Sequence, residues 1–285
     1  MTNTRQDLAS FNNLELAWRR LQTGKNYEYK ELCGEGQLAF GWNLTQNLKH
    51  LSSEITEKIY KPVKASKYYC PKKSDLVRPI TLLSIKDQIY YQAIVNLICS
   101  YKLDEIRQFR KTNIFGGFNV EDPYSIFFLS KWKEEYGLYK SVVKQAFDDR
   151  YKWLGKFDLA SFYDIIDHTI LIKVSSNGVL DRDLMDEFFQ ALQIWSQPQA
   201  IKFSHSHGIP QGPISSQVLA DIYLHLLDKK LIHLCLLHDL KYFRYVDDII
   251  LMGKTKKHVK IGLIQLDIAA RELALIPQSG KICVS

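Results

Sequence analysis

Two adjacent aspartates, Asp247 and Asp248, stand in the middle of an apolar, β-favouring run, Phe243-Arg244-Tyr245-Val246-Asp247-Asp248-Ile249-Ile250-Leu251. Neighbouring carboxylates repel each other, so between strand segments they need a compensating cation. Strand character from Tyr242 to Met252 predicts a hairpin with the acidic pair at its tip. Hairpin turns often carry Asp, and a solvated turn is the competing reading. Turn chemistry nevertheless favours Asp-Gly or Asn-Gly there, not Tyr-Val-Asp-Asp.

A second carboxylate ends another apolar run, Trp153 to Leu159, within Lys156-Phe157-Asp158-Leu159-Ala160-Ser161-Phe162-Tyr163-Asp164. One aspartate from each of two neighbouring strands supplies the hard oxygen ligands that Mg2+ takes. Such a pair can clamp two ions ~3.5–4 Å apart across the attacking and leaving oxygens of a phosphoryl transfer.

Around these runs, apolar spacing predicts helices over Asn12 to Leu21, Leu44 to Ile59, Ile85 to Tyr101, Phe162 to Val174, Leu184 to Trp195, Ile214 to Leu236 and Lys260 to Leu275. Ser66 to Cys70 and Leu76 to Leu82 read as a hairpin around a basic tip, Pro71-Lys72-Lys73-Ser74-Asp75. The stretch that follows Tyr101, through Phe115-Gly116-Gly117-Phe118 and on to Tyr151, reads as polar and aromatic-rich. From Trp153 on, the order of strand, helices, hairpin and helix predicts a split βαβ sheet of ferredoxin type, with helices on one face.

Composition narrows the classes. With 285 residues, 46% of them hydrophobic, the chain can bury a sizeable core, as one large domain or two ordinary ones. Its formal net charge of +7 suits a polyanionic partner, though a merely soluble basic protein fits equally. The five cysteines never form a CxxC pair, which argues against a disulfide framework or zinc site and for a reducing cytoplasm. Met1 to Asp7 lacks a signal-peptide layout, and no run approaches the ~18 apolar residues of a membrane span. The expectation is a soluble cytoplasmic protein with no membrane partner. Cys33-Gly34-Glu35-Gly36 holds only a fragment of a dinucleotide fingerprint, and His205 and His207 have no evident ligand partners.

Taken in order, these segments resemble bacterial reverse transcriptases. The Asp158 segment resembles polymerase motif A, and Tyr245-Val246-Asp247-Asp248 resembles motif C. Gly208-Ile209-Pro210-Gln211-Gly212-Pro213-Ile214-Ser215-Ser216 is similar to the motif between them. Pro71-Lys72, Arg78-Pro79-Ile80 and Asp87-Gln88 resemble the fingers signature, Phe115-Gly116-Gly117-Phe118 the loop after the fingers helix, and Glu272-Leu273-Ala274-Leu275 with Lys281 motif D. The similarity runs from about Lys61 to Lys281.

The resemblance implies an α+β right-hand polymerase: an N-terminal helical extension at 1–60, fingers at 61–150, and a palm at 151–285 built on an antiparallel ferredoxin-like sheet. It implies two Mg2+ ions, with Mn2+ as an alternative, held by Asp158, Asp247 and Asp248 with the Leu159 carbonyl. Lys72 and Arg78 would grip the triphosphate, Gln211 and Gly212 would support nucleotide and template, and Lys281 would protonate pyrophosphate; a solvated basic surface is the blander reading of the three cations. Tyr163, five residues past Asp158, would lie against the sugar, exclude a 2′-hydroxyl and so select deoxynucleotides. The partners implied are an RNA template, a DNA product and deoxynucleoside triphosphates.

The chain ends 37 residues past Asp248, without room for a helical thumb, so the expectation is either a piece of a longer protein or a further module or subunit that supplies that grip. Ala160-Ser161-Phe162-Tyr163, Ser215-Ser216 and the helix through Leu219-Ala220-Asp221-Ile222-Tyr223-Leu224 are most similar to defence-associated (antiphage) members. A template-independent or protein-primed DNA polymerase of phage defence, and an inactive polymerase fold serving as an RNA-binding scaffold, are the alternatives.

Overall fold

The computed structural model describes residues 4–23, 27–72, 76–176, 180–197 and 205–284, without the side chains of Tyr27, Glu28 and Lys281. The chain opens on α1 (Thr4–Ala9), α2 (Phe11–Gln22), α3 (Tyr27–Gly41) and α4 (Leu44–Thr56). In α2 the periodic Leu14, Ala17, Trp18 and Leu21 are buried, and the Ser10 hydroxyl caps the helix by accepting from the Asn13 N–H at 3.3 Å. The Cys33-Gly34-Glu35-Gly36 segment lies inside α3.

Next come the hairpin strands β1 (Ser66–Pro71) and β2 (Val77–Leu82), paired from Ser66 with Leu82 to Pro71 with Val77. Lys73, Ser74 and Asp75 of the expected basic tip lie outside the described residues. Helix α5 (Ile85–Tyr101) is buried from Asp87 to Cys99 and forms the spine of the main core. Asp87, fully buried at its start, is satisfied by the Tyr60 hydroxyl, by the Ser84 hydroxyl at 2.8 Å and by the Val63 N–H at 3.2 Å.

The order continues through α6 (Leu103–Arg107), β3 (Ile114–Phe115), α7 (Trp132–Asp148), β4 (Trp153–Phe157), α8 (Phe162–Ile165), α9 (His168–Ser176) and α10 (Arg182–Ser196). It closes with α11 (Ile214–Leu237), β5 (Leu240–Tyr245), β6 (Asp248–Gly253), α12 (Lys256–Glu272), a 3-10 turn (Ser279–Lys281) and β7 (Cys283–Val284). The expected single helix over Phe162 to Val174 is two. At Ile166 the backbone leaves the helix with ψ 114°, and the Asp167 side chain accepts from the Ile170 N–H at 2.9 Å, starting α9 afresh.

Among the described residues the larger sheet has the order β3-β5-β6-β4-β7. Its β5, β6, β4 and β7 pair antiparallel, as the ferredoxin-like reading expects, and β3 adds a parallel edge against β5. Alternation sends Tyr242 and Leu251 to the main core under α11 and α12. Phe243, Ile250 and Met252 point the other way, into a second cluster with Leu138, Tyr139, Val142 and Val143 of α7. Helices therefore stand on both faces of this sheet, α7 covering the second at its β3–β5 end. No helix of the described residues is long and apolar enough to cross a membrane.

Candidate functional site

Strand register carries the acidic residues to one corner of the sheet. β4 pairs with β6 from Trp153 with Gly253 to Phe157 with Ile249, and one step further sets Asp158 beside Asp248. β5 pairs with β6 as far as Tyr245 with Asp248, which leaves Val246 and Asp247 as a two-residue turn. Asp247 and Asp248 are exposed, and Asp158 is half-buried.

The turn is unusual in its chemistry. Val246 has φ +57°, a left-handed conformation that costs a β-branched residue about 1–3 kcal/mol. Its N–H donates to the Phe115 carbonyl at 3.2 Å. That carbonyl belongs to the Phe115-Gly116-Gly117-Phe118 loop, where φ is +75° and +87° at the two glycines. A Cβ on Gly116 would lie 3.1 Å from Val246 Cγ2, so glycine permits the close approach of loop and turn.

On the other side of Asp158, the Gln278 N–H donates to the Asp158 carbonyl at 2.8 Å and the Ala160 N–H to the Ile276 carbonyl at 2.7 Å. These two bonds frame the bridge between Leu159 and Pro277. In such a bridge the N–H and C=O of Leu159 face away from Pro277, toward the side of β4 on which β6 lies.

Among the described residues no group of three His, Cys, Asp or Glu side chains forms a cage for a metal ion. The corner offers carboxylates on two facing strand ends and a peptide carbonyl. These hard oxygen donors suit Mg2+, which commonly takes one or two carboxylates and completes its shell with water and phosphate oxygens. The local field favours a cation as well. Burial, with the Asp248 carboxylate adding to it, pushes the Tyr139 hydroxyl up to about 12. Burial and then the Asp247 and Asp221 carboxylates push Tyr163 higher still, with Arg78 opposing them.

Tyr163 is half-buried beneath this corner, and its backbone is tied to the Pro-Gln-Gly loop. Its carbonyl accepts from the Ile209 N–H at 2.8 Å, and the Ile166 carbonyl accepts from the Gly208 N–H at 2.8 Å. The Gln211 carbonyl in turn accepts from the Thr81 N–H at 2.7 Å, joining the loop to β2. Gly212 has φ +125°, and a Cβ there would stand 2.7 Å from the Tyr29 ring, so no other residue fits without displacement.

The hairpin of β1 and β2 thus adjoins the Pro-Gln-Gly loop. Lys72 and Arg78 are both exposed, at the turn end of the hairpin. Burial raises the Asp164 carboxyl, and Lys67, Lys72 and His207 pull against it. Arg78 thus lies near enough to Tyr163, and Lys72 to Asp164, for the charges of the hairpin to act on the segment after Asp158. The side chain of Lys281 lies outside the described residues. Reading the sequence passed over the charges behind the turn, Arg244 with Asp221, Asp228 and Arg110, all held within the fold. The available signal was Asp221 and Asp228 seven residues apart, about two turns along one face of α11, with Arg244 flanked by aromatic strand residues.

With this geometry in hand, comparison with known proteins is decisive. The family described as reverse transcriptase (RNA-dependent DNA polymerase) matches residues 70–285. The chain belongs to that family. It is 23% identical to the protein YkfC of Escherichia coli (strain K12) over 191 residues, 66% of this chain and 46% of YkfC. It is 25% identical to the group II intron-encoded protein LtrA of Lactococcus lactis subsp. cremoris over 225 residues, 77% of this chain and 33% of LtrA. The chain thus spans less than half the length of these curated relatives.

Among solved structures, telomerase from Candida tropicalis truncated from its C-terminal domain superposes with TM-score 0.52 at 14% identity, over 85% of this chain and 55% of that one. Telomerase from Candida tropicalis in complex with a TWJ fragment of telomeric RNA gives 0.53 at 13%, over 85% and 45%. At such identities the likeness is one of fold, and it is the right-hand polymerase fold of fingers and palm.

Proposed function

We propose that this chain is the fingers and palm of an RNA-directed DNA polymerase. The observation that carries the reading is the register that sets Asp158 beside Asp248, with Asp247 in the turn between β5 and β6. Asp158, Asp247, Asp248 and the Leu159 carbonyl would hold two Mg2+ ions, whose chemistry when bound is to stabilise charge on the attacking and leaving oxygens. The side chains do the rest. Lys72 and Arg78 grip the triphosphate, Arg78 as a planar fork and Lys72 as a point charge. Gln211 and Gly212, fixed against β2, support the nucleotide and template. Tyr163 packs against the sugar, and Lys281 donates a proton to pyrophosphate. Residues 1–60 extend the fingers at 61–150, and the palm is 151–285, with β3 reaching into the palm sheet.

A place among defence-associated members is supported by the wording Ala160-Ser161-Phe162-Tyr163 and by Ser215-Ser216 at the head of α11. The reaction is tested by incubating the protein with each deoxynucleotide, with and without a defined RNA, and sequencing the product. Complementary DNA is the expected product. DNA of unrelated sequence would assign untemplated synthesis, and no DNA under any condition would leave only a nucleic-acid-binding scaffold.

A further inference from the structure

Directly behind the Val246-Asp247 turn lies a buried lattice of charge that the reading above does not use. Arg244 is fully buried, on the face of β5 that meets α11. Its guanidinium grips Asp228 at both oxygens, Nε to Oδ1 at 2.8 Å and Nη2 to Oδ2 at 2.5 Å. This two-point contact fixes the plane of the fork. Nη1 is thereby left to donate to Asp221 Oδ1 at 2.9 Å and to the Val246 carbonyl at 2.6 Å. Asp228 also accepts from the Tyr242 hydroxyl at 2.6 Å. The second oxygen of Asp221 accepts from Arg110, which donates as well to the Gly116 carbonyl. The lattice therefore joins the helix after the Pro-Gln-Gly loop, the glycine loop and the acidic turn.

Stability alone does not account for it. Apolar side chains of the same volume in place of a buried ion-pair lattice are often as stable or more so. What only the arginine supplies is a hydrogen bond to the first residue of a strained turn. The Val246 carbonyl belongs to the peptide plane that leads into Asp247, so fixing it fixes where the Asp247 Cα stands and restrains where its carboxylate can reach. Val246 is gripped at both its polar groups, at N–H by Phe115 and at C=O by Arg244. Such grip is what a left-handed β-branched residue requires to persist.

We propose that Arg244 is a positioning residue for the acidic turn, holding the Val246–Asp247 peptide so that Asp247 is aimed at the metal position. The assignment rests on the polymerase reading for its functional meaning, and its geometry is independent of that reading. A lysine at 244 keeps the charge but cannot reach three acceptors from one plane. Removing Arg244 alone would leave Asp228 buried and uncompensated, so the paired variant Arg244→Met with Asp228→Asn is the cleaner test. In it Asp221 keeps Arg110, and Tyr242 keeps an acceptor.

Wild type, Arg244→Lys and the paired variant are compared by circular dichroism and thermal melting. Binding of Mn2+ alone is followed by loss of the free-ion paramagnetic resonance signal, and the Mg2+ concentration for half-maximal nucleotide incorporation is measured. The expected result is a folded paired variant that binds Mn2+ at least tenfold more weakly and needs at least tenfold more Mg2+, with Arg244→Lys between it and wild type. Unchanged Mn2+ affinity and Mg2+ requirement in a folded variant overturn the proposal, even where the rate falls. If the paired variant does not fold, Arg244→Lys decides by the same criterion. A wild type that binds Mn2+ but makes no DNA removes the polymerase reading, while the Mn2+ comparison still judges Arg244.

Discussion

Tyr163 stands, at the scale of one side chain, within reach of both the acidic turn and the hairpin. Its backbone carbonyl holds Ile209, and its hydroxyl feels both Asp247 and Arg78. If its ring bounds the sugar, discrimination comes from a clash with the 2′-hydroxyl. Tyr163→Ala should then narrow the preference for deoxynucleotides over ribonucleotides by roughly a hundredfold, since each ~1.4 kcal/mol is tenfold. The ratio of kcat/KM for the two sugars in wild type and variant measures it, and an unchanged ratio would return Tyr163 to core packing. His168, the first residue of α9, carries a prediction about pH. It is fully buried, its Nε2 2.5 Å from the Gly208 carbonyl, and its Nδ1 has no hydrogen-bond partner among the described residues. Burial, opposed by that carbonyl, holds its pKa below the ordinary 6.5. As pH falls through about 6.5 the unfolded chain takes up a proton that the folded chain refuses, so stability present above that pH is lost on the way down. Urea midpoints should fall between about pH 7 and 5, and His168→Gln should flatten the decline. The same slope in the variant would assign the loss to other groups.

The hairpin of β1 and β2 is the element whose role is most open to direct trial. Lys72→Ala and Arg78→Ala should chiefly raise the apparent KM for nucleotide, because exposed cations that grip a triphosphate contribute binding more than chemistry. Normal nucleotide dependence in both variants would separate the hairpin from nucleotide binding. This hairpin and the strands around Asp158 and Asp247 were legible as short β-favouring runs, and α5 and α11 as runs of apolar residues too long for a strand. Helix α7 was not. Its core positions Leu138, Val142, Val143 and Ala146 are interleaved with Tyr136, Tyr139 and lysines, and they pack on a second sheet face that no local pattern announces. The break between α8 and α9 was hidden for a different reason. Asp167 reads as one polar residue in a helical run, and only its bond to Ile170 shows it to be a cap. At the site, the acidic residues announced themselves by being misplaced in apolar strands. Arg244 was quoted within its motif and its role missed, since its partners Asp221 and Asp228 are distant in sequence and are matched to it only by folding.

The whole molecule brings a basic hairpin near an acidic strand corner, on a chain of formal net charge +7. Its affinity for a primed RNA should fall steeply with salt, and loss of one phosphate-contacting lysine should lower the slope of log K against log salt by about 1. Affinity insensitive to salt would contradict binding through phosphates. The central claim, that Asp158, Asp247 and Asp248 form one catalytic corner, is tested most directly by incorporation of deoxynucleotides on an RNA template with a DNA primer. Wild type is compared there with Asp247→Ala at matched melting temperature. A lost metal ligand should cost at least ~4 kcal/mol of barrier, about a thousandfold in rate. The account predicts that loss with the fold intact; a folded Asp247→Ala that keeps a tenth of wild-type synthesis would contradict it.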